Sequence, residues 1–267
     1  METYRLKNIA IMLLLLLNGF LLLLVGYQHF QERRTETETA QRLRELCESS
    51  RLTLSSSLDL TSLPLPTMTL TRRAETEQAM ASSLLGGETI SSSQGGGIYS
   101  YEAESGSIQF RAGGTFYGSR MDVQVENIEA FCQDFFQQFG YEDPQFLLTD
   151  GTGSVTAVQR AGEVDVIGSG VALSFEEGAL TSVTGSHIPP ESASTETEKT
   201  EMTCVTALVR FLDYRNASGA VCSEVKDVHC VYQLQGVSSP RLLPVWQIDT
   251  DTNTYFLDCR TGEITGR

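Results

Sequence analysis

The stretch from Ile9 to Tyr27 has 19 residues, no charge and a core of leucines. As a helix rising roughly 1.5 Å per residue it measures about 28 Å, close to the thickness of a bilayer's hydrocarbon core. A secretory signal is the rival reading, but its apolar region runs about 7–15 residues and ends at a small-x-small cleavage site. The residues that follow are Gln28-His29-Phe30-Gln31-Glu32-Arg33-Arg34, which offer no such site. The run predicts an uncleaved transmembrane anchor over 9–27, a stub over 1–8 and a tethered body over 28–267. Basic flanks do not orient it, because Arg5 and Lys7 precede the run and Arg33, Arg34, Arg42 and Arg44 follow it. Asn18 interrupts the leucines. An amide in hydrocarbon seeks a partner on another helix, and Gly19 beside it allows close approach. These two residues are the candidate partner-binding site within the membrane.

Charge narrows what the body can do. The chain carries 19 Lys and Arg against 34 Asp and Glu, a net of -15. Nucleic-acid binding needs a basic footprint, so that class is excluded. Neither Gly-x-Ser-x-Gly nor a phosphate-binding Gly-x-x-x-x-Gly-Lys-[Ser/Thr] occurs. The three histidines, His29, His187 and His229, lie far apart in sequence. Six cysteines include no Cys-x-x-Cys, which disfavours zinc and thioredoxin-like chemistry. Cys222, Asp227, His229 and Cys230 are the one cluster of ligand types. Alternation along a strand puts His229 on the face opposite Cys230, so joint metal binding is awkward. Cys222 and Cys230 are instead candidates to bridge neighbouring strands in an oxidising space. Cys132 and Cys204 fall on apolar helix faces and read as buried thiols. No catalytic residue, cofactor or metal is expected.

Periodicity divides the body. Residues 28–97 read as a juxtamembrane helix and linker: Leu43, Leu46 and Cys47 share a helix face, Leu63-Pro64-Leu65-Pro66 breaks it, and Thr71–Leu85 reads as a short helix. Ser91 to Gly97 has the composition of a flexible connection. From Ile98 the pattern turns β-like. Glu126–Phe139 then reads as a helix, with Ile128, Phe131, Cys132, Phe135, Phe136 and Phe139 on one broad face and Gly140 as its stop. Strands are predicted at Ser154–Gln159, Val164–Phe175 and Leu180–Ser186, and Gly151-Thr152-Gly153 as a turn after Asp150. A linker over 191–199 follows the first module, 98–190. The pattern restarts in a second module, 200–267, with a helix at Thr200–Tyr214 and strands near Val228–Leu234, Leu243–Ile248 and Tyr255–Cys259. Three hairpins share a strand, acidic turn, glycine, strand pattern: Tyr99 to Ile108, Leu173 to Leu180 and Tyr255 to Ile264. Together these predict an α+β chain: a membrane helix followed by two small modules, each a helix laid on an antiparallel sheet.

This layout resembles the YycH/YycI family, and the YycI branch more closely. The residues that carry the resemblance are Leu17-Asn18-Gly19-Phe20-Leu21 in the anchor, Leu243-Pro244-Val245-Trp246-Gln247-Ile248, and Tyr255-Phe256-Leu257-Asp258 with Thr261-Gly262-Glu263-Ile264. The last two segments also resemble PepSY-like modules, with a cystatin-like helix-on-sheet form. The resemblance implies a membrane-anchored accessory protein of a Gram-positive cell-wall two-component system, that of the WalK–WalR pair. It implies a cytoplasmic amino terminus, an extracytoplasmic 28–267, and regulation without catalysis. The implied partners are the lipid bilayer, the membrane sensor histidine kinase and a YycH-like protein. An extracytoplasmic PepSY-like module that binds a ligand or inhibits a peptidase is the competing expectation.

Overall fold

The computed structural model describes residues 38–188, 193–195, 202–236 and 240–266. The expected anchor over 9–27, with Asn18 and Gly19, lies outside the described residues. Among the described residues no helix is long and apolar enough to cross a membrane.

One local unit occurs three times: a helix, then a four-stranded antiparallel meander. In the first, α2 (Ala74–Leu85) leads into β3 (Ile90–Gly95), β4 (Ile98–Ala103), β5 (Gly106–Phe110) and β6 (Thr115–Gln124). In the second, α3 (Ile128–Phe139) leads into β7 (Glu142–Thr149), β8 (Thr152–Val158), β11 (Gly170–Glu176) and β12 (Ala179–Ser186). A short arm, β9 (Arg160–Ala161) and β10 (Val164–Ile167), is inserted in this meander. In the third, α4 (Cys204–Ser218) leads into β14 (Glu224–Gln235), β15 (Arg241–Thr250), β16 (Thr254–Asp258) and β17 (Ile264–Gly266). The fold is therefore α+β, as the periodicity implies.

Local chemistry sets the helix ends. The Asn127 side chain accepts the Ala130 N–H at 3.0 Å to start α3, and Gly140 at φ +71° stops it. Thr203 does the same for α4 through the Thr206 N–H at 3.3 Å. Both helices begin a few residues later than periodicity alone predicts, because an apolar face shows where a helix packs but not where its cap lies. Phe135 and Leu208, each 1 % exposed, are buried beneath them.

The first two meanders share one eight-stranded sheet, in the order β3-β4-β5-β6-β12-β11-β8-β7. They join at β6–β12, where Phe116 pairs with Gly185 and Tyr117 with Thr184. One face packs α2 and α3 over a core that includes Leu84, Ile108, Phe135, Leu173 and Leu180. The opposite face carries a row of hydroxyls along register partners, Ser107, Ser119, Ser182, Ser174 and Ser154. This is the alternation of a sheet with one wet side.

The second sheet is built on the β14–β15 hairpin. The helix over 38–49, α1, packs with α4 on a core that includes Cys47, Phe211, Trp246 and Leu257. β1 (Thr53–Leu54) runs parallel to the start of β14, and β2 (Met68–Leu70) pairs with the start of β15. β13 (Ala193–Thr195) extends β2. β10 pairs in parallel with the end of β14, Val166 opposite Tyr232. A third core of Leu70, Val166, Ile188, Tyr232 and Leu242 fills the join.

Several sequence expectations change here. Residues 38–70, expected within a stalk and linker, supply a helix and two strands to the carboxy-terminal unit. The reason is packing: Leu43, Cys47, Leu52 and Leu54 have no partner nearby in sequence, and α4 provides one. Ser91 to Gly97 is strand and turn, not a loose connection, because β3 finds a partner in β4. The expected strand Val164–Phe175 is two strands in two sheets. Gly168 at φ +76° turns the chain between them. The 98–190 module extends back to α2, and its one sheet holds two units.

Candidate functional site at the junction of the sheets

Where the two sheets meet, residues 71–73 connect β2 to α2. Arg72 turns inward there. Its Nη2 donates to Glu77 Oε2 at 2.8 Å and to the Phe110 carbonyl at 3.2 Å. Its Nε and Nη1 donate to Glu77 Oε1 and the Gly97 carbonyl. The guanidinium lies 4.4 Å from the centre of the Tyr99 ring. Glu77, 7 % exposed, is therefore held in a fork by a positive charge, the arrangement a buried carboxylate requires. Tyr101 Oη also donates to Glu77, and burial together with that carboxylate pushes the phenol up to about 12.

On the other side Gln159 forms a polar knot. Its Oε1 accepts the Ile188 N–H at 2.6 Å, and its Nε2 donates to the carbonyls of Ile188 at 2.8 Å and Phe139 at 3.2 Å. These three backbone partners fix which way the amide faces. The same Nε2 lies 3.4 Å from His187 Nδ1. His187 is 7 % exposed, and its Nε2 has no hydrogen-bond partner among the described residues. Burial pushes the imidazole down to about 4, so it is neutral at pH 7.

A cavity lies between these groups. Leu70, Thr71, Arg72, Arg73, Thr76, Glu77, Phe110, Ala112, Gly114, His187 and Pro240 line it. Its inner space is about 20 Å³, and with the mouth the open space is about 360 Å³. The lining mixes the apolar Leu70, Phe110, Ala112 and Pro240 with the polar Thr71 and Thr76 and the charged groups. In the sequence His187 is one of three histidines far apart from one another, and nothing there singles out Arg72 or Glu77. The three meet through tertiary pairing across more than a hundred residues, which no local pattern encodes.

The cluster singled out in sequence is partly assembled. Asp227 and His229 sit on one face of β14, with His229 Nδ1 3.0 Å from Asp227 Oδ2. Asp249, which the sequence did not bring forward, stands across the register from Asp227. The three present ligand atoms within 4.8 Å of one another. Asp249 already accepts hydrogen bonds from Gln247 and from Thr254 at 2.6 Å, so the group is satisfied by the protein itself.

Cys222 and Cys230 do not face each other, which corrects the expected bridge between strands. They lie along one strand approach, roughly 20 Å or more apart at about 3.3 Å per residue, far beyond a disulfide's reach of about 7 Å. The thiol next to Cys230 is that of Cys259, and all six cysteines are free.

No known family profile matches the chain. No curated protein matches it either. Among solved structures, it is similar to an uncharacterized protein from Eubacterium rectale, at 12% identity and a TM-score of 0.43, covering 80% of this chain and 90% of that one. It is a weaker neighbour of the Bacillus megaterium YpeB C-terminal domain, at 14% identity and a TM-score of 0.34, covering 73% of this chain and 97% of that one.

Proposed function

We propose that this chain is a non-catalytic, membrane-anchored extracytoplasmic regulator of a cell-wall sensor histidine kinase, acting by binding through its anchor and its exported units. The observation that carries the reading is the short distance between two features. The apolar run ends at Tyr27 and the described helix begins at residue 38. Ten intervening residues span at most about 35 Å even when fully extended. On this reading the carboxy-terminal unit, which contains α1, is held beside the bilayer. A cleft of about 260 Å³, lined by Ala40, Leu60, Leu63, Val205 and threonines, lies at the entry end of α1. Leu63 in its wall is 75 % exposed. A juxtamembrane segment of a kinase would meet this surface first.

The test is coprecipitation of the kinase from membranes with the wild-type chain, Asn18→Leu and a chain whose anchor is replaced by polyleucine. Interhelical hydrogen bonds in membranes contribute about 0.6–2 kcal/mol, so Asn18→Leu should weaken recovery roughly 3- to 30-fold without blocking insertion. Equal recovery with all three would move recognition from the anchor to the exported units.

A further inference from the structure

A further cleft lies on the wet face of the eight-stranded sheet. Phe116 of β6 points into the core, so its neighbours Thr115 and Tyr117 point outward. Across the register they meet Ser186 and Thr184. Arg111 joins them from the turn that closes β5 on β6, where its backbone N–H donates to the Thr115 carbonyl at 2.8 Å. On the next strand Gly170 stands opposite Ser186. A Cβ at Gly170 would meet the Ala157 carbonyl oxygen at 2.6 Å, so bare backbone floors the face there. The result is a half-open cleft of about 440 Å³ whose lining includes Arg111, Thr115, Tyr117, Gly168, Gly170 and Thr184.

Three features define what fits it. Arg111 is exposed and, among the described residues, forms no ion pair. The lining holds no carboxylate, so it is one charge positive in a chain whose net charge is -15. That calls for one anionic group, and a guanidinium grips a carboxylate through two parallel hydrogen bonds. Tyr117 is 52 % exposed on an interior strand of the sheet, which leaves a ring bare for an apolar surface to cover. Thr115 and Thr184 add exposed hydroxyls that both donate and accept. An extended peptide is poorly served here. β6, β12 and β11 are interior strands, so their backbone groups are spent in the ladder, and strand addition needs a free edge.

We propose that this cleft binds a sugar acid, a pyranose bearing one carboxylate. The carboxylate lies on Arg111, an apolar face of the sugar ring covers Tyr117, and the ring hydroxyls exchange hydrogen bonds with Thr115 and Thr184. The volume is in the range of small-molecule sites and far exceeds a bare anion. This site needs neither the anchor nor a kinase, so it stands apart from the function proposed above.

The experiment is a calorimetric titration of the full chain, solubilised in a detergent without a sugar headgroup, with four sugars. Glucuronate and N-acetylmuramate carry the carboxylate; glucose and N-acetylglucosamine are their neutral counterparts. Saturable binding of at least one acid is expected, about tenfold or more tighter than its neutral counterpart. Which acid binds identifies where on the ring the carboxylate must sit. Arg111→Gln should erase the difference between acid and neutral sugar. Tyr117→Thr should weaken both severalfold. Both side chains are exposed, so the variants keep the fold, which unchanged melting temperatures check. Equal affinity for acid and neutral sugar, binding undiminished in both variants, or no saturable binding overturns the proposal. So does acetate binding as tightly as the sugar acids, which makes the site one for simple anions. Triglutamate binding more tightly than either acid overturns it too, and assigns the cleft to an acidic protein partner.

Discussion

Val166 stands opposite Tyr232 in a parallel register, and that pairing carries a strand from the middle of one unit's meander into the sheet of another. The arm that bears it leaves the eight-stranded sheet after β8 and returns at β11. Arg160 pins the arm's base, with its Nε on Asp165 at 2.7 Å and its other nitrogens on Glu142 and Asp143. The two sheets are thus joined by backbone hydrogen bonds as well as by side-chain packing.

A joint of this kind makes unfolding common to both sheets. Trp246, the single tryptophan, reports on the second sheet, while circular dichroism reports on both. Their denaturation midpoints should coincide in the wild-type chain. Leu242→Ala, at a fully buried position in the joining core, should lower both midpoints together, by about 2–5 kcal/mol of stability. Two separated transitions in the wild type would show that the sheets are independent.

Phe135 is the centre of the first core's aromatic packing. Its ring lies 4.9 Å from Phe139, 5.8 Å from Tyr141 and 6.0 Å from Phe136, centre to centre. Phe135→Ala removes these contacts and leaves a cavity, so the expected loss is about 3–5 kcal/mol. Chemical denaturation measures it directly. A loss under ~1 kcal/mol would contradict the packing described.

His187 gives the fold a specific pH dependence. Its pKa in the folded chain is about 4, against an ordinary value of 6.5. Above 6.5 neither state is protonated and the group has no effect. As pH falls from 6.5 toward 4, the unfolded chain takes up a proton that the folded chain refuses, so stability declines. The shift corresponds to about 3 kcal/mol at full development. Urea midpoints at pH 7, 5.5 and 4.5 should fall for the wild type and fall less steeply for His187→Phe. Asp59 and Asp251, whose carboxyls are held low by hydrogen bonds from Thr61 and Ser223, lose their contribution only in more acid solution. A slope that is the same in both proteins between pH 6.5 and 4.5 would assign the effect to other groups.

The thiols should label in a set order. The Cys259 thiol donates toward Cys230 and holds its pKa below the ordinary value, against the effect of burial. Burial pushes Cys132 and Cys204 up to about 12. Alkylation of the native chain near pH 8 should mark Cys230 first and leave Cys132 and Cys204 unmarked until the chain unfolds. Peptide mapping by mass spectrometry reads the order, and early label on Cys132 would contradict it.

What the sequence reveals follows the range of the forces involved. Phe135, Leu208 and the Gly140 stop of α3 are legible because apolar period and capping are local, whereas α4 runs on past the expected Tyr214 to Ser218, where Gly219 ends it. The turn at Asp150-Gly151, both at positive φ, is legible for the same reason. The hairpins repeat for local reasons too. Those at Glu177-Gly178 and Gly262 close the third and fourth strands of their units, while the one at Gly106 closes the second and third. The shared pattern therefore marks a turn rather than an equivalent place in the unit. What escaped was everything decided at long range: the return of residues 38–70 to α4, the split at Gly168, and the meeting of Arg72, Glu77 and His187. Pro144 hid β7, since a proline argues against a strand. It is tolerated there because β7 is an edge, irregular between Glu142 and Gln145.

The return of residues 38–70 to the last unit also orders events in time. During synthesis α1 and β1 are made first, yet their partners on α4 and β14 are made last. The segment between them, from α2 to β12, contains both members of every pairing in its own eight-stranded sheet. That sheet can form while the chain is still growing, and α1 must wait, with Leu43 and Cys47 uncovered, until residues beyond Trp246 arrive. The part made first is the part that folds last, and its apolar face is the surface a chaperone would have to shield in the interval.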